Sequence, residues 1–362
     1  MINPVRGLEI TTLLLVILGL IILASSGIVL SYKIYGDNYY YLKHQMFPGL
    51  LLGAVGFFVA RKFPHQKLKL LALPLLLATL VLLAAIFMPQ IGLSFGGAKR
   101  WIQIKGFSFQ PSEILKISFV IYLAAWFEKR RDQIKTIIGS LVPFLAINGV
   151  IGLLLLAQPD IGTLGVILLT GLMMFFIAGS KISHFVATIL MGISAVLILI
   201  KIEPYRLNRL TTFLNPDADP LGISYQINQA IIAIGSGGFW GLGLGQSRQK
   251  YNYLPEPIGD SVFAIISEEL GFAGAISILS LFLILAYFGY KISKNASTDF
   301  GKLLGFGLTT WIAMQALINT AAISGLIPLT GVPLPFISFG GTSLAITLTS
   351  VGIISNIGDN EI

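Results

Sequence analysis

Most of this chain consists of apolar runs, each long enough to cross a lipid bilayer as a helix. A bilayer core of about 30 Å requires roughly 17–25 apolar residues in one helix. The runs lie at 10–30, 45–60, 68–88, 112–127, 136–156, 161–178, 183–200, 260–290, 303–325 and 338–357. Because a bilayer-spanning segment must pair all its own backbone groups, we predict an all-α integral membrane protein of about ten transmembrane helices.

The composition excludes most other classes of protein. Only 11% of the 362 residues are charged and 55% are hydrophobic, whereas a soluble domain carries about a quarter charged residues. The chain has no Cys and three His, which excludes disulfides and leaves little for a histidine metal site. We expect no nucleic-acid partner, since the basic residues behind the net charge of +8 mark the topology of a membrane chain. We also expect neither a nucleotide nor a haem as a cofactor.

Lys and Arg concentrate in alternate short loops, after the second, fourth, sixth and eighth predicted helices. The positive-inside rule then places these loops and both termini in the cytoplasm. We expect one polytopic domain over 1–362, with its longest external loop at 201–259, between helices 7 and 8. An amphipathic piece from Leu221 to Ile234 is too short to cross, so we predict an interfacial or re-entrant helix beside an outer cavity.

Ionisable side chains gather at the predicted external face. They are Arg100, Lys105, Glu113, Asp160, Arg206, Arg209, Glu256 and Asp260. Asp160 and Asp260 each precede an apolar run, so each is a candidate helix N-cap. Asp260 is alternatively a carboxylate at the lip of a cavity, where partial desolvation would suit it to proton abstraction. Glu256 lies beside it, across a Pro/Gly turn.

Other charged residues also leave alternatives open. Glu113 and Lys116 are three residues apart and can form an ion pair on one helical face, or the lysine can snorkel. Arg206 and Arg209 are either solvated or clamp a phosphate. Glu268 and Glu269 are acids inside a predicted span, where structural pairing and a functional path are both expected uses. A glycine cluster at 235–245 has no nucleotide-loop spacing and indicates close backbone approach.

Five separated motifs resemble the SEDS family (shape, elongation, division and sporulation), and the resemblance covers essentially the whole chain. The motifs are Gly97-Ala-Lys-Arg-Trp-Ile102 with Gln110-Pro-Ser-Glu113, Gln158-Pro-Asp-Ile-Gly-Thr163, Asp219-Pro-Leu-Gly222 through Gly238, Leu254-Pro-Glu256 to Asp260, and Pro333 to Gly341. Segments such as Glu203-Pro-Tyr-Arg-Leu207 look more like the division branch, FtsW, although Thr330 to Pro335 is closer to the elongation branch, RodA.

The resemblance implies a glycosyltransferase of the bacterial cytoplasmic membrane that polymerises lipid II into glycan strands at the outer face. Asp260 matches the catalytic acid of the family. Arg100, Lys105 and Lys116 would neutralise the lipid pyrophosphate, with Gln110, Glu113, Asp160, Arg206, Arg209 and Glu256 also facing the substrate. A divalent cation, Mg²⁺ or Mn²⁺, is a further expectation, with Asp260 as an alternative ligand. The implied protein partner is a class B penicillin-binding protein.

Two positions depart from the family pattern, and two other functions stay open. Ile258-Gly259 replaces a common His-Thr pair before the aspartate, and Phe339 stands where Tyr is frequent. Because Ile donates no hydrogen bond, any side-chain contact of that His is absent here. The same helices and buried acids would also suit a lipid II flippase, or a scaffold that recruits the penicillin-binding protein.

Overall fold

The computed structural model describes residues 3–88, 91–95, 98–104, 107–202, 207, 211, 213–215, 222 and 224–359. Within these residues lie thirteen α-helices and one small sheet. The helices are α1 (Pro4–Ser26), α2 (Ile28–Tyr35), α3 (Tyr40–His44), α4 (Leu51–Lys62), α5 (His65–Ala85), α6 (Pro111–Lys129), α7 (Val142–Ala157), α8 (Ile161–Ile177), α9 (Ile182–Ile202), α10 (Tyr225–Ser236), α11 (Val262–Asn295), α12 (Asp299–Ile323) and α13 (Gly341–Asp359). The π-helical turns Gln45–Leu50 and Ile137–Leu141 lead into α4 and α7.

Seven helical segments in the described part of the chain are long and apolar enough to cross a membrane. They are Pro4–Ser26, Tyr40–Lys62, His65–Ala85, Ile137–Ala157, Val262–Asn295, Asp299–Ile323 and Gly341–Asp359. The other three predicted runs fall in α6, which carries four charged residues, and in the shorter apolar stretches of α8 and α9. The prediction of an all-α multi-pass membrane protein is thus confirmed, while a single domain over 1–362 stays a prediction.

The helices end at two chemically different levels. At one level, which we call the basic end, Arg61 of α4 bonds Glu9 at 2.9 Å and Asp359 at 3.0 Å. Lys69 pairs with Glu128 there, and Arg131 pairs with Asp299. The opposite level, which we call the sheet end, carries the connections α5–α6, α7–α8 and α10–α11.

The connection between α5 and α6 folds into a small antiparallel sheet, which hydropathy did not predict. Its strands are β1 (Gly92–Phe95), β2 (Ala98–Ile104) and β3 (Phe107–Phe109), in the order β1-β2-β3. Leu93 pairs with Trp101, and Gln103 pairs with Ser108. Ile102 is buried at 1% exposure, so the sheet is anchored to the helices by an apolar side chain.

Helix α10 confirms the short helix predicted in the long connection between α9 and α11. It runs over Tyr225–Ser236 and therefore covers twelve residues, too few for a crossing. Ile227, Ala230 and Ala233 form its buried face, and it packs against α11. Pro255 and Pro257 disfavour helical geometry at the residues that precede them, Leu254 and Glu256, and α11 begins at Val262.

Helix α11 is broken at Gly271, which corrects the prediction of one continuous span over 260–290. Gly271 has φ 67° and ψ −168°, a conformation that only glycine adopts without strain. The glycine-rich loop lies in the break. Leu242 and Gly243 donate to the carbonyls of Glu268 and Glu269 at 3.0 Å. Across the break, the N–H groups of 272 and 273 donate to the carbonyls of 238 and 239. The backbone groups freed by the kink are therefore paired.

Glycine at position 241 is expected to be essential for the close contact between the glycine-rich loop and α11. Its φ is +82°, and an added Cβ would lie 2.2 Å from the carbonyl oxygen of Glu269. Gly241→Ala is therefore expected to lower the free energy of unfolding by at least about 2 kcal/mol, from left-handed strain and steric overlap. Thermal unfolding in detergent measures this loss.

A matched control is available in the same glycine cluster. Gly235 lies in α10, and an added Cβ there meets no atom within 4 Å. Gly235→Ala is expected to leave stability unchanged or to raise it by about 0.5–1 kcal/mol, because alanine favours helix. Equal melting temperatures for Gly241→Ala and Gly235→Ala would contradict the close approach of the loop to α11.

Candidate active site

Asp260 lies at the sheet end, in the turn between α10 and α11. The residue at the N-cap of α11 is Ser261, whose side chain makes no capping bond, so Asp260 stands one residue outside the cap. Gln226 of α10 donates from Nε2 to the Asp260 carboxylate at 3.3 Å and to Ser261 Oγ at 3.0 Å. The half-buried carboxylate of Asp260 is thus oriented by a helix distant in sequence.

The backbone of this turn is held at three successive carbonyl groups. Phe339 N donates to Ile258 O at 2.8 Å, and Ser338 Oγ donates to Gly259 O at 2.7 Å. Asn319 Nδ2 donates to Asp260 O at 2.8 Å. These bonds, which we call the carbonyl clamp, each contribute about 0.5–1.5 kcal/mol. Together they fix the direction in which the Asp260 side chain leaves the backbone.

The carbonyl clamp uses backbone groups of the Ile258-Gly259 pair, the pair that replaces the common His-Thr of the family. Ile258 is buried, and its Cγ2 lies 3.5 Å from the place where a Cβ on Gly27 would stand. The hydrogen bonds that this pair accepts from other segments go to its main-chain carbonyls, and any residue has such a carbonyl. The Phe339 donor is likewise a backbone N–H, and the Phe339 ring packs edge-on against Tyr41 at 4.9 Å. Neither departure disturbs the clamp.

Asp160 confirms the prediction of a helix N-cap. Its Oδ1 accepts from Thr163 N at 3.3 Å at the start of α8. Its Oδ2 accepts from Ser112 Oγ at 3.2 Å and from Gln110 Nε2 at 3.4 Å, both at the start of α6. Arg100 of β2 donates to the carbonyls of Gln158 and Pro159 just before the cap. This cluster ties the sheet to the α6 and α8 N-termini.

Glu113 and Lys116 form the ion pair that their spacing allowed. Each is only 3% exposed, and Lys116 Nζ lies 2.7 Å from Glu113 Oε1. The same Nζ donates to Gln315 Oε1 at 2.9 Å and lies 5.1 Å from the centre of the Trp311 ring. Because both charges are enclosed and paired, Lys116 contributes to the position of α12 rather than facing an open groove.

Helix α12 connects this ion pair to the turn of Asp260. Gln315, which accepts from Lys116, donates to Pro333 O at 2.9 Å. One turn further along, Asn319 donates to Val332 O at 2.7 Å as well as to the carbonyl clamp. The segment 330–340 also reaches α8, since a Cβ on Gly162 would lie 2.4 Å from Thr330 O. This segment therefore brings the Asp160 cluster, the ion pair and Asp260 together.

The acids Glu268 and Glu269 are buried where α11 breaks, and both bind the loop before Asp260. Glu268 accepts from the N–H of Arg248 at 2.9 Å and from the Ser247 hydroxyl. Glu269 pairs with Lys250 at 2.9 Å and accepts from Ser25 of α1 at 2.7 Å. They therefore hold the 242–250 loop against α1 and α11.

The other predicted site residues are Glu256, Lys105, Arg206 and Arg209. Glu256 is exposed, and its carbonyl accepts from Gly259 N at 3.0 Å within the turn. Lys105, Arg206 and Arg209 lie outside the described residues. Sequence reasoning missed Gln226, Asn319, Ser338 and Lys250. Ser338 and Gln226 fall inside motifs that carried the family resemblance, which was the available signal.

A model of the family described as "Cell cycle protein", FtsW/RodA/SpoVE, matches residues 6–361. The chain belongs to the FtsW/RodA/SpoVE family. This family member is 37% identical over 357 residues to "Probable peptidoglycan glycosyltransferase FtsW" of Geobacter sp. (strain M18), covering 98% of this chain and 97% of the relative. It is 39% identical over 356 residues to "Stage V sporulation protein E" of Bacillus subtilis (strain 168), with the same coverages, 98% and 97%.

Solved structures of family members share the fold. A chain from "Structural coordination of polymerization and crosslinking by a peptidoglycan synthase complex" matches with a TM-score of 0.79 at 25% identity, covering 98% of both chains. The rod shape determining protein RodA of Thermus thermophilus matches with a TM-score of 0.71 at 24% identity, covering 98% of this chain and 96% of that one. The resemblance to the SEDS family and to its FtsW branch is confirmed.

Proposed function

We propose that this protein is a peptidoglycan glycosyltransferase that polymerises lipid II, with Asp260 as the catalytic base. The observation that carries the proposal is the presentation of one half-buried carboxylate by the carbonyl clamp and by Gln226. A general base must be held within hydrogen-bonding reach of the proton it removes. The names of the relatives that cover nearly the whole chain support the reaction class.

In the proposed reaction, the Asp260 carboxylate takes the proton of an acceptor sugar hydroxyl. The hydroxyl oxygen forms a bond to the donor anomeric carbon while the bond from that carbon to the lipid pyrophosphate breaks. The pyrophosphate leaves with the electron pair of that bond, and the proton passes from Asp260 to solvent. General base catalysis of this kind contributes about 10²–10⁴-fold to a rate.

The described contacts of Lys116 and Arg100 divide the roles of the basic residues in this proposal. Lys116 is enclosed with Glu113, and Arg100 holds the carbonyls before α8, so we assign both a positioning role. Gln110 and Asp160 stabilise the same junction. Neutralisation of the pyrophosphate is proposed for Lys105, Arg206 and Arg209, while Glu256 is the alternative base on the exposed rim.

A divalent cation is compatible with this site only in combination with the substrate. No cluster of three or more His, Asp or Glu side chains that could hold a metal ion occurs in the described ranges. Mg²⁺, however, is commonly held by one or two carboxylates together with substrate phosphates. Asp260 offers one such carboxylate. A bound cation would neutralise charge on the pyrophosphate, and Asp260 would then be its ligand rather than the base.

We further propose that the sheet end faces outward and that both termini are cytoplasmic. The basic end carries the ion pairs of Arg61, Lys69 and Arg131, and positively charged loops remain on the cytoplasmic side. A class B penicillin-binding protein is the proposed partner. Support for it comes from the matched structure, whose complex is described as coordinating polymerisation with crosslinking.

Polymerisation of fluorescent lipid II by the protein and its penicillin-binding partner in proteoliposomes tests the function. We expect a ladder of glycan strands that a muramidase digests, and no ladder from the partner alone. Movement of labelled lipid II between leaflets without polymer would identify a flippase. If neither product forms but the transpeptidase requires this chain for activity, the protein is a scaffold and the proposal fails.

A further inference from the structure

A cavity at the basic end lies far from Asp260 and is not used by the proposed reaction. It has a volume of about 710 Å³ and lies between the π-helical turn before α7 and the first turns of α9. The residues that define its character are Lys135, Ile137, Ile138, Lys181, Ser183 and His184. The lining thus includes both cationic and aliphatic side chains.

The cationic part of the lining combines three features that attract an anion. Lys135 and Lys181 are exposed, and both line the cavity. Helix α9 begins at Ile182, so its N-terminal N–H groups and positive dipole end lie beside Lys181. His184, in the first turn, is only 7% exposed, and its Nδ1 has no hydrogen-bond partner among the described residues. The imidazole of His184 adds a polar group to the cavity lining.

The aliphatic part of the lining is exposed in a way that suits lipid chains. Ile137 is 58% exposed and Ile138 is 85% exposed, and both line the cavity. These side chains belong to segments long or apolar enough to lie in a bilayer. A ligand that fills the cavity therefore meets both lysines and exposed isoleucines.

We propose that this cavity binds the phosphate headgroup of an anionic phospholipid, with Lys135, Lys181 and His184 facing the phosphate and Ile137 and Ile138 facing the acyl chains. Basic pockets between membrane helices bind anionic headgroups by this combination of charge and apolar surface. Inorganic phosphate shares the headgroup chemistry but leaves the isoleucines without a partner. The amphipathic lining thus favours a lipid.

Native mass spectrometry of the delipidated full-length protein in detergent tests the site with phosphatidylglycerol, phosphatidylcholine and inorganic phosphate as probes. Wild type is expected to prefer phosphatidylglycerol. Lys135→Gln/Lys181→Gln is expected to weaken its binding about 25-fold, since each cation near a headgroup contributes about fivefold. His184→Leu, which lacks the imidazole, is expected to weaken binding about tenfold.

Lys62→Gln/Lys67→Gln is the charge-matched control, because it removes two cations, from the end of α4 and the first turn of α5, outside the cavity lining. It is expected to retain wild-type affinity. If the two double variants lost the same affinity for phosphatidylglycerol, the loss would follow from net charge alone, and the proposal would be overturned. So would unchanged binding in His184→Leu, or an affinity for inorganic phosphate as high as that for phosphatidylglycerol.

Discussion

Replacement of Asp260 by asparagine is expected to reduce the rate of lipid II polymerisation by about 10²–10⁴-fold, the usual contribution of a general base. Asparagine keeps a side-chain oxygen that can accept from Gln226, and the carbonyl clamp acts on the backbone. The variant should therefore fold like wild type. The measurement is the initial rate of strand formation in proteoliposomes at matched protein levels.

Two comparisons make this result specific. Asp37→Asn removes an exposed carboxylate between α2 and α3, where Asp37 is paired with Lys43 at 2.6 Å, and is expected to leave the rate unchanged. Glu256→Gln tests the alternative base. Full activity of Asp260→Asn together with inactivity of Glu256→Gln would transfer the role to Glu256.

A titration with Mg²⁺ separates the two proposed roles of Asp260. If the carboxylate is a cation ligand, the Asp260→Asn variant should recover much of its rate at high Mg²⁺, because a weakened metal site fills at higher concentration. If it is the base, added Mg²⁺ leaves the loss in place. Recovery with Mg²⁺ would therefore contradict the assignment of Asp260 as the base.

Removal of Lys116 is expected to cause the largest loss of stability. Lys116→Met leaves the carboxylate of Glu113 charged and enclosed, and breaking such a buried pair costs about 3–5 kcal/mol. The Oε2 atom of Glu113 already has no hydrogen-bond partner among the described residues, so the loss of Oε1 contact is not compensated. Thermal or denaturant unfolding in detergent measures the change.

The double variant Glu113→Gln/Lys116→Met distinguishes this cause from loss of packing. It removes both charges and is expected to recover most of the stability, since no uncompensated charge stays buried. Arg131→Gln is the exposed control, because Arg131 is 74% exposed and its pair with Asp299 contributes at most about 1 kcal/mol. A double variant as unstable as Lys116→Met would mean that the aliphatic stem of the lysine, rather than its charge, supports α12.

The positions of the apolar helices in the described part of the chain were predictable because hydropathy is a property of consecutive residues. Each of the ten predicted runs overlaps a helical segment of the structure, and α10 lies within the predicted long connection. The N-cap role of Asp160 was also predictable, since a cap depends on residues only a few positions away. The alternation in basic loops likewise placed Arg61, Lys69 and Arg131 at one end.

Contacts between distant segments were beyond the sequence. Gly271 is flanked by apolar helical residues, and only the approach of the 238–243 loop explains its break in α11. The choice of Lys250 as the partner of Glu269 depends on the same loop returning to α11. Such pairings are decided by tertiary packing, in which a kinked backbone and a buried charge each require a partner from elsewhere in the chain.

For Asp260, the sequence determined its residue type, its place before an apolar helix and its match to a family motif. Tertiary structure decided that Asp260 is not the N-cap of α11, and that Gln226, Asn319 and Ser338 hold it from three other segments. Membrane insertion follows local hydrophobicity, which a linear sequence displays. The direction of a single carboxylate follows from hydrogen bonds such as that between Ser338 and Gly259, 79 positions apart, which only the folded chain brings together.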